Sequence, residues 1–386
     1  VIIVRGLALI AGIVVARFLG KDLYGEYGMI RNTLLSMGVF STFGLGYTAT
    51  KYIAEQKGNL LEIQKTIKYS YHITFIVSGI MALILFLGAN YISTNILDTP
   101  KLGPSLKLVA LWVIFNAGTT TQTGILSGFK VFKKMTVINL YTGIFTLISS
   151  IILTYFWELN GALIALLLSQ MFNFFMNYSV VKTIRNRILP IPSKIHENST
   201  SLKKILKFSF PVALQEGLFS ITSWLTSYLI ISYATYGELG LYTAAGLWAT
   251  LVAFVPGMLR NVILSHLSGL QQDKKGYNKT LNIIILFTFI STIIPFFTIY
   301  LLSDFIASTY GNTFNGLSAV INIAIISIIP TCISNVLIQA LLSRGKNWFV
   351  FIIKLISSFL TLTIIYFYFT KKNINASLTI YYISFF

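Results

Sequence analysis

Gly20-Lys-Asp-Leu-Tyr-Gly-Glu-Tyr27 interrupts a run of apolar residues near the start of the chain, and a near copy, Tyr236-Gly-Glu-Leu-Gly-Leu-Tyr242, interrupts another. In both places an apolar run ends, a turn containing glycine and tyrosine follows, and a second apolar run begins. The separation of Gly25 from Gly240 equals that of Tyr27 from Tyr242. This shared spacing predicts a chain whose second half repeats its first. Glycine permits a tight reversal and tyrosine suits a membrane interface. Each copy is therefore expected to be a turn on the outer face joining the first two helices of its half.

Composition sets the surroundings of those helices. Of 386 residues, 55% are hydrophobic and 10% charged, whereas a soluble domain carries about 25% charged residues. Apolar stretches of about 20 residues, the length that crosses a hydrocarbon core, recur throughout. Strand-like alternation is absent, and only helices and closed barrels satisfy backbone polar groups in lipid. The expected fold is an all-α polytopic membrane protein. About twelve transmembrane helices are predicted, at 1–19, 26–49, 70–92, 106–128, 136–157, 161–181, 208–234, 241–267, 280–302, 317–342, 347–369 and 374–386. They form two pseudo-symmetric six-helix bundles, 1–181 and 208–386, on either side of a basic cytoplasmic linker, 182–207. The chain begins with Val and ends within an apolar run, so both ends are expected to be truncated.

The net charge of +18 does not indicate nucleic acid, because the basic residues sit mainly in short loops between apolar runs. With both termini in the cytoplasm, nineteen Lys and Arg fall in cytoplasmic segments and six on the opposite side, as the positive-inside rule requires. Cys332 is the one cysteine, and His72, His196 and His266 are scattered. Neither a disulfide framework nor a metal centre is expected.

A second pair of segments supports the repeat. Gly124-Ile-Leu-Ser-Gly-Phe-Lys130 is similar to Ala340-Leu-Leu-Ser-Arg-Gly-Lys346, and Lys130 and Lys346 keep the offset of the first pair to within a single position. Six helices per half give both halves one orientation, related by a two-fold axis along the membrane normal. That arrangement occurs in transporters, with substrate bound between the halves.

Ala16-Arg-Phe-Leu-Gly-Lys-Asp-Leu-Tyr-Gly-Glu-Tyr27, followed by Phe43-Gly-Leu-Gly-Tyr-Thr-Ala-Thr50, resembles the opening of bacterial oligosaccharide flippases of the multidrug/oligosaccharidyl-lipid/polysaccharide exporter superfamily. Phe208-Ser-Phe-Pro-Val-Ala213, Gly240-Leu-Tyr-Thr-Ala-Ala245, Phe254-Val-Pro-Gly257 and Leu267-Ser-Gly-Leu270 continue the resemblance in the same order. It implies an O-antigen-type translocase in the bacterial cytoplasmic membrane, moving an undecaprenyl-pyrophosphate-linked oligosaccharide to the outer leaflet. Glycosyltransferases and a polysaccharide polymerase are its implied partners. Many relatives carry an Asp-Arg pair in the middle of the seventh helix. This chain has Thr222-Ser-Trp-Leu-Thr-Ser-Tyr-Leu229 there, so no charged site is carried over to that stretch.

Charges inside a membrane are costly and mark function. Arg5, Arg31, Glu216, Arg260 and Lys354 fall within predicted helices. The four cations predict a cationic cleft for a pyrophosphate head group, which Arg binds through a bidentate fork. Glu216 either holds an Arg while the site is empty or takes up the H⁺ or Na⁺ that drives the cycle; no other cofactor is expected. Lys354 and Arg31 have a plainer reading, as side chains that snorkel to the interface. Thr119, Thr123 and Ser127 map by the repeat onto Asn335, Gln339 and Ser343, each set forming a stripe at i, i+4, i+8. These stripes either contact sugar hydroxyls or hold helices together by hydrogen bonds.

The chain carries no P-loop, because Gly311–Ser318 has Leu317 where lysine is required. No Ser-His-Asp set or carboxylate pair is visible, so an enzyme is not expected. The competing classes are a cation-coupled multidrug or metabolite antiporter and a membrane polymerase or ligase. The first would favour membrane carboxylates over the arginines seen here. The second needs a large outer loop, and every loop predicted on the outer face is short.

Overall fold

The computed structural model describes residues 2–55, 60–188, 199–270 and 273–371; at some helical positions within these, Arg260 among them, only the backbone is described. All regular structure in this set is helical. It comprises α1 and α2 (2–19 and 21–42), α3 (Leu45–Glu55), α4 (Leu60–Tyr91, extended by a π turn, Ile92–Ile96), α5 (Leu102–Gly128), α6 and α7 (132–156 and 159–188), α8 (Ser199–Tyr233), α9 (Tyr236–Val252), α10 (Phe254–Gly269), α11 (Lys274–Leu301), α12 (Ser303–Thr309), α13 (Leu317–Ser343) and α14 (Asn347–Lys371). Among the described residues seven continuous helices are long and apolar enough to cross a membrane. The protein is a multi-pass membrane protein.

Two of those seven fold back on themselves. The α1–α2 reversal takes place at one residue, Gly20, with φ 69° and ψ 170°, a region closed to most L-residues. Twelve residues of unbroken helix would span about 18 Å. Instead the Tyr24 hydroxyl lies 4.0 Å from where a Cβ on Gly12 would sit. Between α6 and α7 the break is at Trp157 and Glu158 (φ 45°, ψ −126°). Phe145 then stacks on Phe172 with centroids 4.7 Å apart, and the Ser149 and Ser169 hydroxyls lie 3.5 Å apart. Numbers rise along one helix as they fall along the other, so the pair is antiparallel.

Eleven of the twelve predicted helices fall on described helical segments, though 26–49 breaks at Phe43 and Gly44 into α2 and α3; the twelfth, 374–386, lies outside the described residues. Boundaries differ where charge is dense. α4 starts at Leu60 rather than 70, and α8 at Ser199 rather than 208. Hydropathy marks the length of chain in hydrocarbon, whereas the helix continues through Lys, Glu and Gln, which are good helix formers. The predicted 241–267 helix breaks at Ala253 into α9 and α10. Pro256 sits in the first turn of α10, where its missing N–H costs nothing.

Contacts divide the described chain into two compact units, one of residues 1–11 and 29–224, the other of 12–28 and 225–386. In the first, α5 packs against α3 and α4. Thr50 Oγ1 donates to the Gly124 carbonyl at 3.0 Å, and Thr74 and Thr121 hydroxyls meet at 2.7 Å. Ile53, Ile67, Ile125, Leu126 and Val181 fill the space between. In the second unit α13 is central, packed by α9, α10 and α11. Tyr277 of α11 donates to the Ala340 carbonyl at 2.9 Å, and the Arg344 guanidinium covers its ring at 4.3 Å. Thr235 caps α9, its hydroxyl accepting from the Glu238 N–H at 3.2 Å. Thr235→Ala should cost about 1 kcal/mol, read as a lowered Tm of the purified protein in detergent.

Candidate functional site

The two copies of the glycine motif meet each other in the second unit. The sequence suggested a turn in each copy; the first copy holds one at Gly20, whereas the second lies wholly within α9. Of these glycines only Gly20 reverses the chain; Gly25 and Gly240 lie in the second turns of α2 and α9. A Cβ on Gly25 would fall 1.8 Å from the Tyr236 carbonyl oxygen, and one on Gly240 would fall 2.1 Å from that of Lys21. Tyr236 and Lys21 are themselves equivalents in the repeat, at the same separation as Gly240 and Gly25. The contact is therefore reciprocal, as at a two-fold axis. Gly28 faces Thr243, and Gly237 faces Asp22, so three successive equivalent pairs touch at the spacing of a helical turn. Close backbone approach at small residues is how membrane helices associate without a hydrophobic driving force. The tyrosines also turn inward. Tyr24 is buried and packs on Phe314 and Tyr27, and Tyr27 and Tyr242 are half-buried. Beside this seam the Trp248 indole N–H donates to Tyr310 Oη at 3.0 Å. Burial pushes the Tyr310 phenol up, which that hydrogen bond only partly offsets.

The predicted charges are spread through the described units. Arg5 is exposed on α1, where Val4 and Leu7 pack against Gly143 of α6. Arg31 on α2 and Glu216 on α8 are half-buried, and neither takes part in a hydrogen bond or ion pair among the described residues. Their helices are joined by an antiparallel polar seam. Asn32 Nδ2 donates to the Ser223 carbonyl at 3.0 Å, Trp224 Nε1 to Thr33 Oγ1 at 3.0 Å, and Ser36 Oγ to the Ser220 carbonyl at 3.3 Å. The register puts Gly217 beside Phe40. Glu216 is thus about nine residues, or roughly 14 Å, along the axis from Arg31. The stretch 222–229, which lacks a charged pair, uses neutral hydrogen bonds instead. Lys354 is half-buried on α14. Arg260 lies on α10, its side chain outside the described residues, so its pairing with Glu216 is not described.

The polar stripes behave unequally. Thr119 Oγ1 donates to the Phe115 carbonyl at 2.8 Å and Thr123 Oγ1 to that of Thr120 at 2.9 Å. Ser127 lies 3.7 Å from the Met135 sulfur. Ser343 pairs with Ala340 and the Tyr277 hydroxyl, Gln339 is buried, and Asn335 is exposed. Four of the six positions are engaged by protein groups. Sequence reasoning missed a different set. It counted Lys68 and Arg185 only as topology signals, whereas the structure places both, with His72, on one cavity of the first unit. The i, i+4 spacing of Lys68–His72 and Tyr71–Phe75 was the available signal.

Residues 14–291 match the family model described as polysaccharide biosynthesis protein, and the chain belongs to that family. No curated protein matches it. Among solved structures it is similar to the inward-facing conformation of a multidrug resistance MATE family transporter of the MOP superfamily, with a TM-score of 0.82 and 12% identity over 98% of this chain and 92% of that one. It is also similar to the lipid II flippase MurJ in an inward closed conformation, with a TM-score of 0.77 and 16% identity over 99% of this chain and 83% of that one. The fold is that of MOP-superfamily transporters.

Proposed function

We propose that the protein flips undecaprenyl-pyrophosphate-linked oligosaccharide repeat units from the cytoplasmic to the outer leaflet by alternating access. One conjunction carries this reading: a chain of the polysaccharide biosynthesis family has, along 99% of its length, the fold of a lipid II flippase. Arg5, Arg31, Arg260 and Lys354 would offer positive charge to the pyrophosphate, and Glu216 a site for H⁺ or Na⁺. The setting is a bacterial cytoplasmic membrane with both termini inside, and glycosyltransferases and a polymerase as partners. The MATE likeness supports a second reading, a cation-coupled multidrug or metabolite antiporter.

Complementation of a strain lacking the gene separates them. The Arg5→Ala/Arg260→Ala variant is expected to lower the flipping rate roughly ten- to a hundredfold, the worth of a charge-assisted hydrogen bond or two. Surface glycan falls and lipid-linked units accumulate on the cytoplasmic leaflet. Normal export in that variant would sink the cationic-cleft mechanism. A wild-type gene that fails to restore glycan but confers resistance to cationic drugs would favour the antiporter.

A further inference from the structure

The first unit holds a cavity of about 530 Å³ between α4 and α7. Lys68, His72 and Arg185 supply its basic end, and Tyr71, Phe75 and Tyr178 most of its aromatic wall. The helices are antiparallel, so the cavity has a direction. From Gln64 to Phe75, which meets Phe174, it follows eleven residues of α4, about 16 Å. Its basic end lies at the ends of α4 and α7 that the charge distribution assigns to the cytoplasmic side. The aromatic end points toward mid-membrane. Phe75 packs edge-on to Phe174 at 6.3 Å, and Tyr71 stacks on Phe75 at 6.0 Å. A second cavity of about 340 Å³ shares Tyr71, His72 and Phe75 and extends the apolar end to Ile76, which is exposed like Ile80 and Leu83 further along α4.

Neither the Lys68 ammonium nor the Arg185 guanidinium has an acidic partner among the described residues, whereas nearby Lys65 is paired with Glu62 at 3.1 Å. The Tyr71 hydroxyl is buried with the Gln122 side chain as its polar neighbour, the two falling outside strict hydrogen-bond geometry. The His72 ring is oriented. Its Nδ1 lies 2.8 Å from the Lys68 carbonyl, which can only accept, so Nδ1 carries a proton and Nε2 is left for another partner. Unpaired cations at one end and an aromatic, lipid-accessible wall at the other match an anionic amphiphile lying along the membrane normal. Basic pockets between transmembrane helices on the cytoplasmic side bind anionic lipid head groups.

We infer that this cavity is a binding site for the phosphate head group of an anionic phospholipid of the cytoplasmic leaflet. The phosphate would lie between Lys68 and Arg185, with the His72 ring at its edge, and an acyl chain would run past Tyr71 and Phe75 toward Ile76. The volume is that of a drug-sized ligand, room for a glycerophosphate and its first methylenes but not for a multi-sugar repeat unit. None of the residues predicted for the transport cleft lines it, so the site stands whatever the chain carries.

The test uses the full chain in nanodiscs of pure phosphatidylcholine or of phosphatidylcholine with about 30% phosphatidylglycerol, enough to give an anionic surface. Two readouts apply: Tm, and the lipid retained in native mass spectrometry. Wild type should be stabilised by phosphatidylglycerol and retain it. Lys68→Gln/Arg185→Gln should match wild type in phosphatidylcholine, lose the stabilisation, and retain phosphatidylglycerol roughly thirtyfold less well, as two basic contacts imply. If the double variant does not fold in phosphatidylcholine, the two single variants carry the same comparison. Undiminished retention in the variants would overturn the site. Displacement of the retained lipid by equimolar undecaprenyl pyrophosphate would overturn its assignment to a phospholipid.

Discussion

Gly25→Ala is expected to cripple the protein, although it adds one methyl group. That methyl would sit 1.8 Å from the Tyr236 carbonyl oxygen, 2.6 Å from its carbon and 3.1 Å from the Gly240 nitrogen. All three are backbone atoms, so no rotamer change relieves the clash. α2 and α9 must separate, losing the contacts of Gly28 with Thr243 and of Gly237 with Asp22. Overpacking of this kind costs about 1–3 kcal/mol, and Gly240→Ala should cost a similar amount against Lys21. A lowered Tm in detergent would show it, together with loss of activity in the complementation assay. The double variant should cost less than the sum of the singles, because the separation forced by the first methyl makes room for the second. Gly257→Ala is the control, since a Cβ there meets nothing within 4 Å. Strict additivity at Gly25 and Gly240, or a mild Gly25→Ala, would show that the helices do not cross at these glycines.

The second large effect separates the two repeats by sign. Gly124 on α5 and Ala340 on α13 occupy equivalent positions, at the offset that also relates Lys130 to Lys346. Glycine to alanine within a helix ordinarily gains up to about 1 kcal/mol. At Gly124 it should lose more than that, because the new Cβ would lie 2.2 Å from the Gly46 carbonyl oxygen and push α3 away, straining the Thr50 bond to the Gly124 carbonyl. At Ala340 a Cβ is already accommodated, and its carbonyl is held by Tyr277. Ala340→Gly should therefore cost only its propensity and small burial terms, about 1–2 kcal/mol. Denaturant or thermal titration of both variants checks the pair. A stabilising Gly124→Ala would remove the close crossing of α3 and α5.

Helix number and order were legible in the sequence because lipid leaves the backbone few alternatives, and apolar length reports directly on spans. Helix ends were not, since Leu60 to Tyr69 and Ser199 to Lys207 are polar yet helical. The repeat was legible as a spacing, but its meaning at Gly25 and Gly240 was not. A glycine that packs and a glycine that turns look alike until the opposing backbone is known. Lys68 and Arg185 are far apart in sequence, and only the fold brings them to one cavity. Of the predicted charges, Arg31 and Glu216 could be assigned to their helices from the sequence, whereas lateral proximity depends on packing that hydropathy does not encode.

The reciprocal contact of α2 with α9 has a consequence for how such a chain arises. A surface that touches its own equivalent is what a homodimer of identical half-length chains would present. Joining the two copies in one polypeptide removes the requirement that both sides of that surface stay the same. Divergence is already visible within it: Gly28 stands opposite Thr243, and Asp22 opposite Gly237. Fusion thus lets one side of the seam change independently while Gly25 and Gly240, lying where neither backbone leaves room for a side chain, stay alike.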